Sequence, residues 1–237
     1  MFLAPTPKMR PVYKKRIRNN KSSTVTLFNY AYGSTASRVI EGPGAIAVGS
    51  IIPGGRFVVR APSPLGHSTN TYTTAMLPDR TGLHLSYPNG SNYAADVPSL
   101  LNDNKEFCNV LGVSLSGTNT CKQECFKRYC CPIGYDGEEQ YNNYWNPYEN
   151  ITIVDSGKVT VYAETDMKLC DKVYIRIEVI NPDATVCQML GGVTNTPDDG
   201  TQEVCAKVAQ EACAGEAVLL DLSGFKNLKG LKRKIYN

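Results

Sequence analysis

The chain has 237 residues, which is enough for one large all-β domain or two smaller ones. It contains 20 glycines, 14 prolines and 14 tyrosines, a composition that favours strands and turns over helices. No apolar run approaches the roughly 18 residues of a membrane-spanning helix, and the N-terminus lacks the layout of a secretory signal, so we expect neither a membrane span nor a signal peptide.

The net charge of +3 conceals an uneven distribution of charge along the chain. Residues 1–40 contain eight basic side chains and no acidic one, and residues 226–237 contain five basic side chains and no acidic one. All 22 carboxylates lie in residues 41–225, together with only 12 Lys and Arg, so this body has a net charge near −10. Basic ends on an acidic body predict contact with an acidic surface or with nucleic acid, and solvated, disordered termini would give the same pattern. Apolar residues interleaved with the basic ones favour docking. The candidate partner contacts in these ends are Lys14, Lys15, Arg16, Arg18, Lys232 and Arg233.

The first 22 residues predict an extended arm, because prolines at positions 5, 7 and 11 disfavour helix. Alternating or β-branched runs bounded by turn residues then predict strands at 24–30, 45–52 and 56–60. Residues 61–104 are rich in Ser, Thr, Asn, Pro and Gly, which predicts long loops with at most one short strand at 82–87. Loops of this length usually make contacts or carry function.

Residues 105–150 change composition towards Cys, Tyr and Asn, as in an insertion into a β scaffold. Five of the nine cysteines lie here: Cys108, Cys121, Cys125, Cys130 and Cys131. Their spacing lacks the paired Cys-x2-Cys of zinc knuckles. A local disulfide that restrains the long insertion is our preferred interpretation, with zinc and free buried thiols as alternatives.

The aromatic run from Tyr141 to Tyr148 includes the only tryptophan, Trp145. Large aromatic side chains with few charges are typical anchors of protein contacts, so Tyr144 and Trp145 are candidate partner-binding residues. The same residues could instead cap a local core beside the cysteines.

No residue pattern predicts catalysis, a cofactor or a metal site. The histidines His67 and His84 lie away from the Cys cluster, where a thiol nucleophile would need a base. The acidic loops Asp198-Asp199-Gly200 and 136–139 lack EF-hand spacing, and turn formation explains them more simply. We therefore expect no enzyme activity, no catalytic residue and no bound cofactor or metal.

The last third of the chain carries the clearest strand patterns, at 159–163, 173–179 and 216–222. In the middle strand, Val173, Ile175, Ile177 and Val179 share one face, and Tyr174, Arg176 and Glu178 take the other. Residues 203–212 fit either a short helix or a strand.

The order of these parts resembles the C-terminal half of the structural cement, or capsid decoration, proteins of tailed phages. Three motifs carry the resemblance: Asp171-Lys172-Val173-Tyr174-Ile175-Arg176, then Gly191-Gly192-Val193-Thr194-Asn195, then Ala214-Gly215-Glu216-Ala217-Val218-Leu219-Leu220-Asp221-Leu222. The resemblance covers about a third of the chain, and the order and spacing of the motifs are what support it.

This resemblance implies a mainly β fold with a small β-barrel or jelly-roll-like body, which we place at 23–225. The charge and proline patterns add extended arms at 1–22 and 226–237. The long basic arm, the insertion at 105–150 and the Lys-rich tail depart from the usual form of the family. It implies a non-enzymatic virion protein on the outer surface of the capsid. Its partners would be the major capsid protein and neighbouring copies of itself. We expect it to bind neither a membrane nor nucleic acid. A nucleic-acid-binding structural protein that uses its basic tails is the alternative, and a small thiol-dependent enzyme or redox protein is a third possibility.

Overall fold

The computed structural model describes residues 38–40, 45–62, 73–87, 90–115, 119–122, 141–182, 184, 186 and 188–225. Within them, regular structure consists of fifteen β-strands and the 3-10 helix Val97–Leu100, which confirms the predicted mainly β fold. The strands are β1 (Arg38–Ile40), β2 (Ala45–Ala47), β3 (Ile52–Pro53), β4 (Phe57–Arg60), β5 (Thr73–Met76), β6 (Val110–Ser114), β7 (Asn119–Lys122), β8 (Tyr141–Trp145), β9 (Ile153–Ser156), β10 (Lys158–Tyr162), β11 (Val173–Arg176), β12 (Val193–Thr194), β13 (Thr201–Val204), β14 (Lys207–Gln210) and β15 (Ala217–Asp221). The predicted arm at 1–22, strand at 24–30 and tail at 226–237 lie outside the described residues.

The largest sheet has six strands in the order β1-β9-β6-β4-β5-β2 and curls into half a barrel. Its neighbouring strands are antiparallel except β2 and β5, which run parallel with Ala45 opposite Thr73. The register between β4 and β6 shifts after Val58, because Val58 pairs with Gly112 and Val59 with Val110, and Leu111 is an extra residue on β6. An extra residue of this kind increases the local twist of a sheet.

Both faces of this sheet are covered by apolar side chains. Phe57 and Val59 belong to the larger core cluster, and Val58 between them belongs to the smaller one. On β9, Val154 and Ile153 divide between the two clusters in the same way. Because successive side chains of a strand point to opposite faces, these near-continuous apolar runs are what a doubly covered sheet requires.

The last third of the chain forms two three-stranded sheets, in the orders β10-β15-β14 and β12-β11-β13. Val161 of β10 lies opposite Val218 of β15, so the strands that begin and end this part of the chain pair with each other. Ile175 of β11 lies opposite Val193 and, on its other side, Gln202. The three strands predicted here are confirmed, and residues 201–204 and 207–210 are strands rather than a helix.

The turn at Gly191 joins this C-terminal part to the large sheet. Gly191 has a φ of +75°, and its carbonyl accepts a hydrogen bond of 2.8 Å from the Phe57 N–H. A Cβ atom at position 191 would stand 2.4 Å from the Phe57 carbonyl oxygen. Only glycine meets both requirements without strain.

The remaining sheet, in the order β3-β8-β7, contains the aromatic strand. Trp145 lies opposite Ile52, and Tyr144 lies opposite both Pro53 and Asn119. The segment expected to be an insertion starts inside the scaffold, since β6 (Val110–Ser114) is an internal strand of the six-stranded sheet. Residues 123–140, which include most of the cysteine cluster, lie outside the described residues.

Two expectations for the first half of the chain differ from the structure. The predicted strand at 45–52 is two strands, separated at Gly49, which has a φ of +85°. In the loop-rich region, the strand is β5 at Thr73–Met76, whereas residues 82–87 contribute one isolated bridge between Ser86 and Asn92. The short, mixed sequence of β5 gives little periodicity, and its pairing with β2 depends on a partner distant in sequence.

Candidate contact surface

The predicted anchor Trp145 is held against the body of the protein. Its indole Nε1–H donates a hydrogen bond of 2.7 Å to the Leu115 carbonyl, and its ring packs at the edge of the smaller core cluster. Tyr144 beside it is partly buried. Trp145 therefore caps a local core, which is one of the two interpretations of the aromatic run, and partner contact by either residue stays a prediction.

Tyr148, three residues further on, has an aromatic side chain that is exposed to solvent. Its side chain is 55% exposed, and its backbone has a φ of +72°. It occupies the third position of a turn from Asn146 to Glu149, closed by the Glu149 N–H donating to the Asn146 carbonyl at 3.2 Å. Pro147 at the second position and a positive φ at the third are the features of a type II turn, in which glycine or asparagine is usual at the third position. A left-handed conformation costs a non-glycine residue roughly 1–2 kcal/mol.

The surrounding hydrogen bonds hold the turn in this strained conformation. The Tyr148 N–H donates to the Ala47 carbonyl at 2.6 Å, and the Glu149 carboxylate accepts from the Asn146 N–H at 2.8 Å. The Ala47 N–H donates to the Glu149 carbonyl at 2.9 Å, and the Ile151 N–H donates to the Ala45 carbonyl at 3.1 Å. Residues 148–151 therefore cover the outer edge of β2. The strain is maintained by the fold, a condition that is common at contact and functional sites.

The Tyr148 turn lies beside the side chains of Tyr87, Tyr93 and Asp96, because the Tyr148 N–H donates to the Ala47 carbonyl and the Ser86 N–H donates to the Gly49 carbonyl at 3.0 Å. We call the turn and these side chains together the tyrosine corner. The rings of Tyr87 and Tyr93 stack with centroids 3.9 Å apart, and the Tyr87 hydroxyl donates to the Asp96 carboxylate. Tyr93 is fully buried, and its hydroxyl has no hydrogen-bond partner among the described residues. Burial raises the pKa of Tyr93 to about 12, with smaller contributions from the nearby Tyr148 phenol and the Asp96 carboxylate.

The segments that form the corner have a definite charge. Residues 82–87, 90–96 and 146–150 contain the carboxylates Asp96 and Glu149 and no Lys or Arg. Burial also raises the pKa of Tyr87, helped by its hydrogen bond to Asp96, so both phenols remain protonated at neutral pH. The corner is thus an aromatic surface with a modest negative charge.

A second polar group lies inside the C-terminal part, around Arg176. Arg176 is 2% exposed, and its Nη2 lies 2.7 Å from Glu164 Oε2 while its Nη1 lies 2.6 Å from Asp198 Oδ1. Glu164 also accepts a hydrogen bond of 2.9 Å from the Met189 N–H. Burial raises the pKa of Glu164, although Arg176 opposes this effect. Arg176 lies on the face of β11 opposite Ile175, as the alternation of the strand predicts. That face is buried as well, and the guanidinium joins β11 to the segments that contain Glu164 and Asp198.

Most of the predicted contact and cysteine residues lie outside the described part of the chain: Lys14, Lys15, Arg16, Arg18, Lys232, Arg233, Cys125, Cys130 and Cys131. Cys121 lies in β7 opposite Asn142. Cys108 is exposed and is a free thiol in the structure. A disulfide within the cluster of Cys108, Cys121, Cys125, Cys130 and Cys131 stays a prediction.

Among the described residues, no group of three or more His, Cys, Asp or Glu side chains is placed to hold a metal ion. His84 is exposed, and its backbone N–H donates a hydrogen bond to the Asp79 carboxylate at 2.9 Å. The Asp198 carboxylate accepts from the Gly200 N–H at 2.8 Å, so the Asp-Asp-Gly sequence forms a turn whose first carboxylate pairs with Arg176. No helix in the described residues is long and apolar enough to cross a membrane.

Comparison of the sequence with known protein families and with curated proteins gives no match. Among solved structures, the chain is similar to one described as "The capsid of Myoviridae Phage XM1", with a TM-score of 0.42 and 12% sequence identity. The similarity covers 82% of this chain and 84% of that chain.

Proposed function

We propose that this protein is a structural component of a bacteriophage virion. Within that class, we propose that it is a cement protein, which binds the outer surface of the capsid and bridges neighbouring capsid subunits. The role is non-enzymatic. Its partners would be the major capsid protein and other copies of this chain.

The observation that carries this proposal is the arrangement of the C-terminal third. The three motifs that resemble those of capsid decoration proteins fall on β11, on β12 with its glycine turn, and on β15. β15 pairs with β10, and β11 pairs with β12, so the motifs lie in the two three-stranded sheets of the C-terminal part. A small β domain of this kind is what the resemblance implies for the body of a cement protein.

The distribution of charge supports a docking role for the ends of the chain. Apart from β1 (Arg38–Ile40), the described residues lie within the acidic part of the sequence, 41–225. Residues 1–37 and 226–237 contain twelve basic side chains and no acidic one. Opposite charge accelerates association and orients the partners. Segments that become ordered on binding can cover a large area per residue, and the cost of ordering them is met on binding.

Such a protein would stabilise a shell by adding interfaces across its seams. When one copy contacts two capsid subunits, separating those subunits also requires breaking one of its own interfaces. A specific interface buries roughly 1,200–2,000 Å² in total. Multiple arms that engage adjacent subunits add avidity without any single strong contact.

The decisive experiment is co-sedimentation of the purified protein with intact capsid shells that lack it. We expect saturable binding and an increase in the temperature at which the shells open. Replacing Lys14, Lys15, Arg16 and Arg18 with glutamine should weaken shell binding at least tenfold with little change in the melting temperature of the free protein.

The matched control replaces four exposed basic residues of the body, Lys105, Lys168, Lys172 and Lys207, with glutamine, which removes the same charge. Equal weakening by both sets would show that net charge alone matters and would contradict docking by the arm. Absence of shell binding, together with salt-sensitive binding to free DNA, would favour the nucleic-acid alternative.

A further inference from the structure

The six-stranded sheet returns on itself at the tyrosine corner. Its last strand, β2, forms main-chain hydrogen bonds with residues 148–151, which lead directly into β9. Ile46 lies opposite Asn150 in an antiparallel bridge, and β9 pairs with β6. The strands β2, β5, β4 and β6 therefore form a closed ring of five with the segment that runs through β9.

The ring encloses the smaller core cluster. This cluster, with the residues packed against it, includes side chains from every strand of the ring. One from each strand is Ala45, Val58, Ala75, Leu111 and Ile153. Because successive side chains of a strand point to opposite faces, the residues between them lie on the outside of the ring.

The neighbours and directions of these strands match those of the OB-fold. In that fold, the third and fifth strands of a five-stranded barrel are parallel and all other neighbours are antiparallel. Here β2 and β5 are parallel, and every other neighbouring pair of the ring is antiparallel. With β6 and β9 as the first and second strands, β2 is the third, so the chain follows a circular permutation of that order. OB-folds bind oligonucleotides or oligosaccharides on the face of their second and third strands.

The corresponding face of this protein reaches solvent at the tyrosine corner. Ile46 and Asn150 lie directly opposite each other, so their side chains share the outer face of the ring. Asn150 is exposed and Ile46 is partly buried. Ile46 and Tyr87 both pack at the edge of the larger core cluster, and the Tyr148 side chain is 55% exposed. Aromatic, apolar and amide side chains thus meet at the surface here.

The chemistry of this surface selects the kind of ligand. A sugar ring presents C–H groups on its faces and hydroxyls around its edge. Exposed aromatic rings pack against such faces, and amides and carboxylates form hydrogen bonds with hydroxyls. The corner segments supply Asn150, Asp96 and Glu149 and contain no Lys or Arg. Because nucleic-acid binding depends on cations that contact phosphates, this surface favours a neutral oligosaccharide over an oligonucleotide.

We propose that the tyrosine corner is a binding site for neutral oligosaccharides. Tyr148 packs against a sugar ring, Asn150 forms hydrogen bonds with its hydroxyls, and the carboxylates Asp96 and Glu149 disfavour polyanions. The hydrogen bonds of the turn fix the backbone of Tyr148 before the ligand arrives, which lowers the cost of binding. This site adds a function to the proposed structural role and does not depend on it.

The test titrates the full-length protein with cellohexaose, chitohexaose, maltohexaose and mannohexaose. Isothermal titration calorimetry measures affinity, and saturation-transfer difference NMR identifies the sugar protons in contact with the protein. We expect saturable binding of at least one of these oligosaccharides, with saturation transferred to C–H protons of a sugar ring. Oligothymidylate is the polyanionic comparison. Any binding of it through the basic ends should be the same in the wild type and in variants of the corner.

Three variants separate ligand binding from folding. Tyr148→Gly removes the ring and suits the positive φ, so we expect an unchanged or higher melting temperature and at least about tenfold weaker oligosaccharide binding. Asn150→Ala should also weaken binding, because it removes a hydrogen-bonding amide. The matched control is Leu169→Ala, because Leu169 is also 55% exposed, and it should leave binding unchanged.

Three outcomes would overturn the inference. The first is that none of the four oligosaccharides binds, and the second is that Tyr148→Gly binds them as tightly as the wild type does. The third is oligothymidylate binding that Tyr148→Gly abolishes, which would make the corner a nucleic-acid site. Failure to co-sediment with shells would contradict the proposed function alone, since the oligosaccharide titration uses the free protein.

Discussion

Replacing Arg176 with methionine would leave a buried carboxylate without its cation. The Arg176 and Glu164 side chains are 3% and 4% exposed and 2.7 Å apart, so neither can be solvated in place. Removing one partner of a buried ion pair costs roughly 3–5 kcal/mol, mainly because the other charge remains buried. Asp198 adds little to this loss, because its side chain is 36% exposed and can be hydrated. We expect Arg176→Met to destabilise the protein by roughly 3–5 kcal/mol at pH 7.

The pH dependence of this loss tests its physical cause. The folded-state pKa of Glu164 is raised above its unfolded value, so the folded state holds the proton more tightly. Stability from this group is therefore present below the unfolded pKa and falls as pH rises towards the folded pKa. Without Arg176 the folded pKa rises further, so the penalty of the substitution should be smaller at pH 5 than at pH 7.

Urea unfolding followed by tryptophan fluorescence measures these free energies. The variant Arg176→Met/Glu164→Gln removes both charges and should be more stable at pH 7 than Arg176→Met alone. A loss below about 1 kcal/mol for Arg176→Met, or a double variant that loses the sum of the two single effects, would refute the assignment of the penalty to an unpaired buried charge.

Three further effects follow from the described contacts. Gly191→Ala should lower stability by at least about 1–2 kcal/mol in urea unfolding, because its φ is +75° and the new Cβ would meet the Phe57 carbonyl; full stability would show that the turn can relax. Trp145→Phe should cost about 1 kcal/mol of unfolding free energy, mostly from the lost hydrogen bond to the Leu115 carbonyl. Because this variant lacks the only tryptophan, its urea unfolding is followed by circular dichroism, and an unchanged value would mean that water replaces this bond. Tyr93→Phe removes a buried hydroxyl without a described partner, so calorimetry should find the melting temperature unchanged or raised, and a clear decrease would reveal a bond to that hydroxyl.

The sequence predicts the C-terminal strands well because their signals are local. β10 and β11 alternate, and β15 is a short apolar run that ends in turn residues. The sequence does not predict strand β5, because Thr73–Met76 has little alternation. Its conformation is specified by parallel pairing with residues 45–47, which are distant in the sequence. Strand β6 lies in a segment whose cysteine content suggested an insertion, although Val110–Ser114 is internal to the largest sheet.

The candidate surface is only partly readable from sequence. The Asn-Pro-Tyr-Glu run signals a turn through its proline, but nothing in it shows that Tyr148 takes a positive φ. Tyr93 is buried against the Tyr87 ring and beside Gly49, where a Cβ would lie in ordinary contact with the Tyr93 ring at 3.5 Å. Such contacts join segments far apart in the chain, and local composition does not encode them. The burial of Arg176 is hidden for the same reason, since its partners lie 12 and 22 residues away.

The covering of β2 by residues 148–151 has a consequence for how the chain is made. Ala45 and Ala47 form their outer main-chain hydrogen bonds with residues that the ribosome adds about a hundred positions later. Until then, the outer edge of β2 presents unpaired N–H and C=O groups, and such edges pair readily with other chains. Pairings this distant in sequence also form slowly. The nascent protein therefore passes through a period in which its sheet is open on one side, and high expression or slow translation of residues 48–151 should increase aggregation before any defect arises in the finished fold.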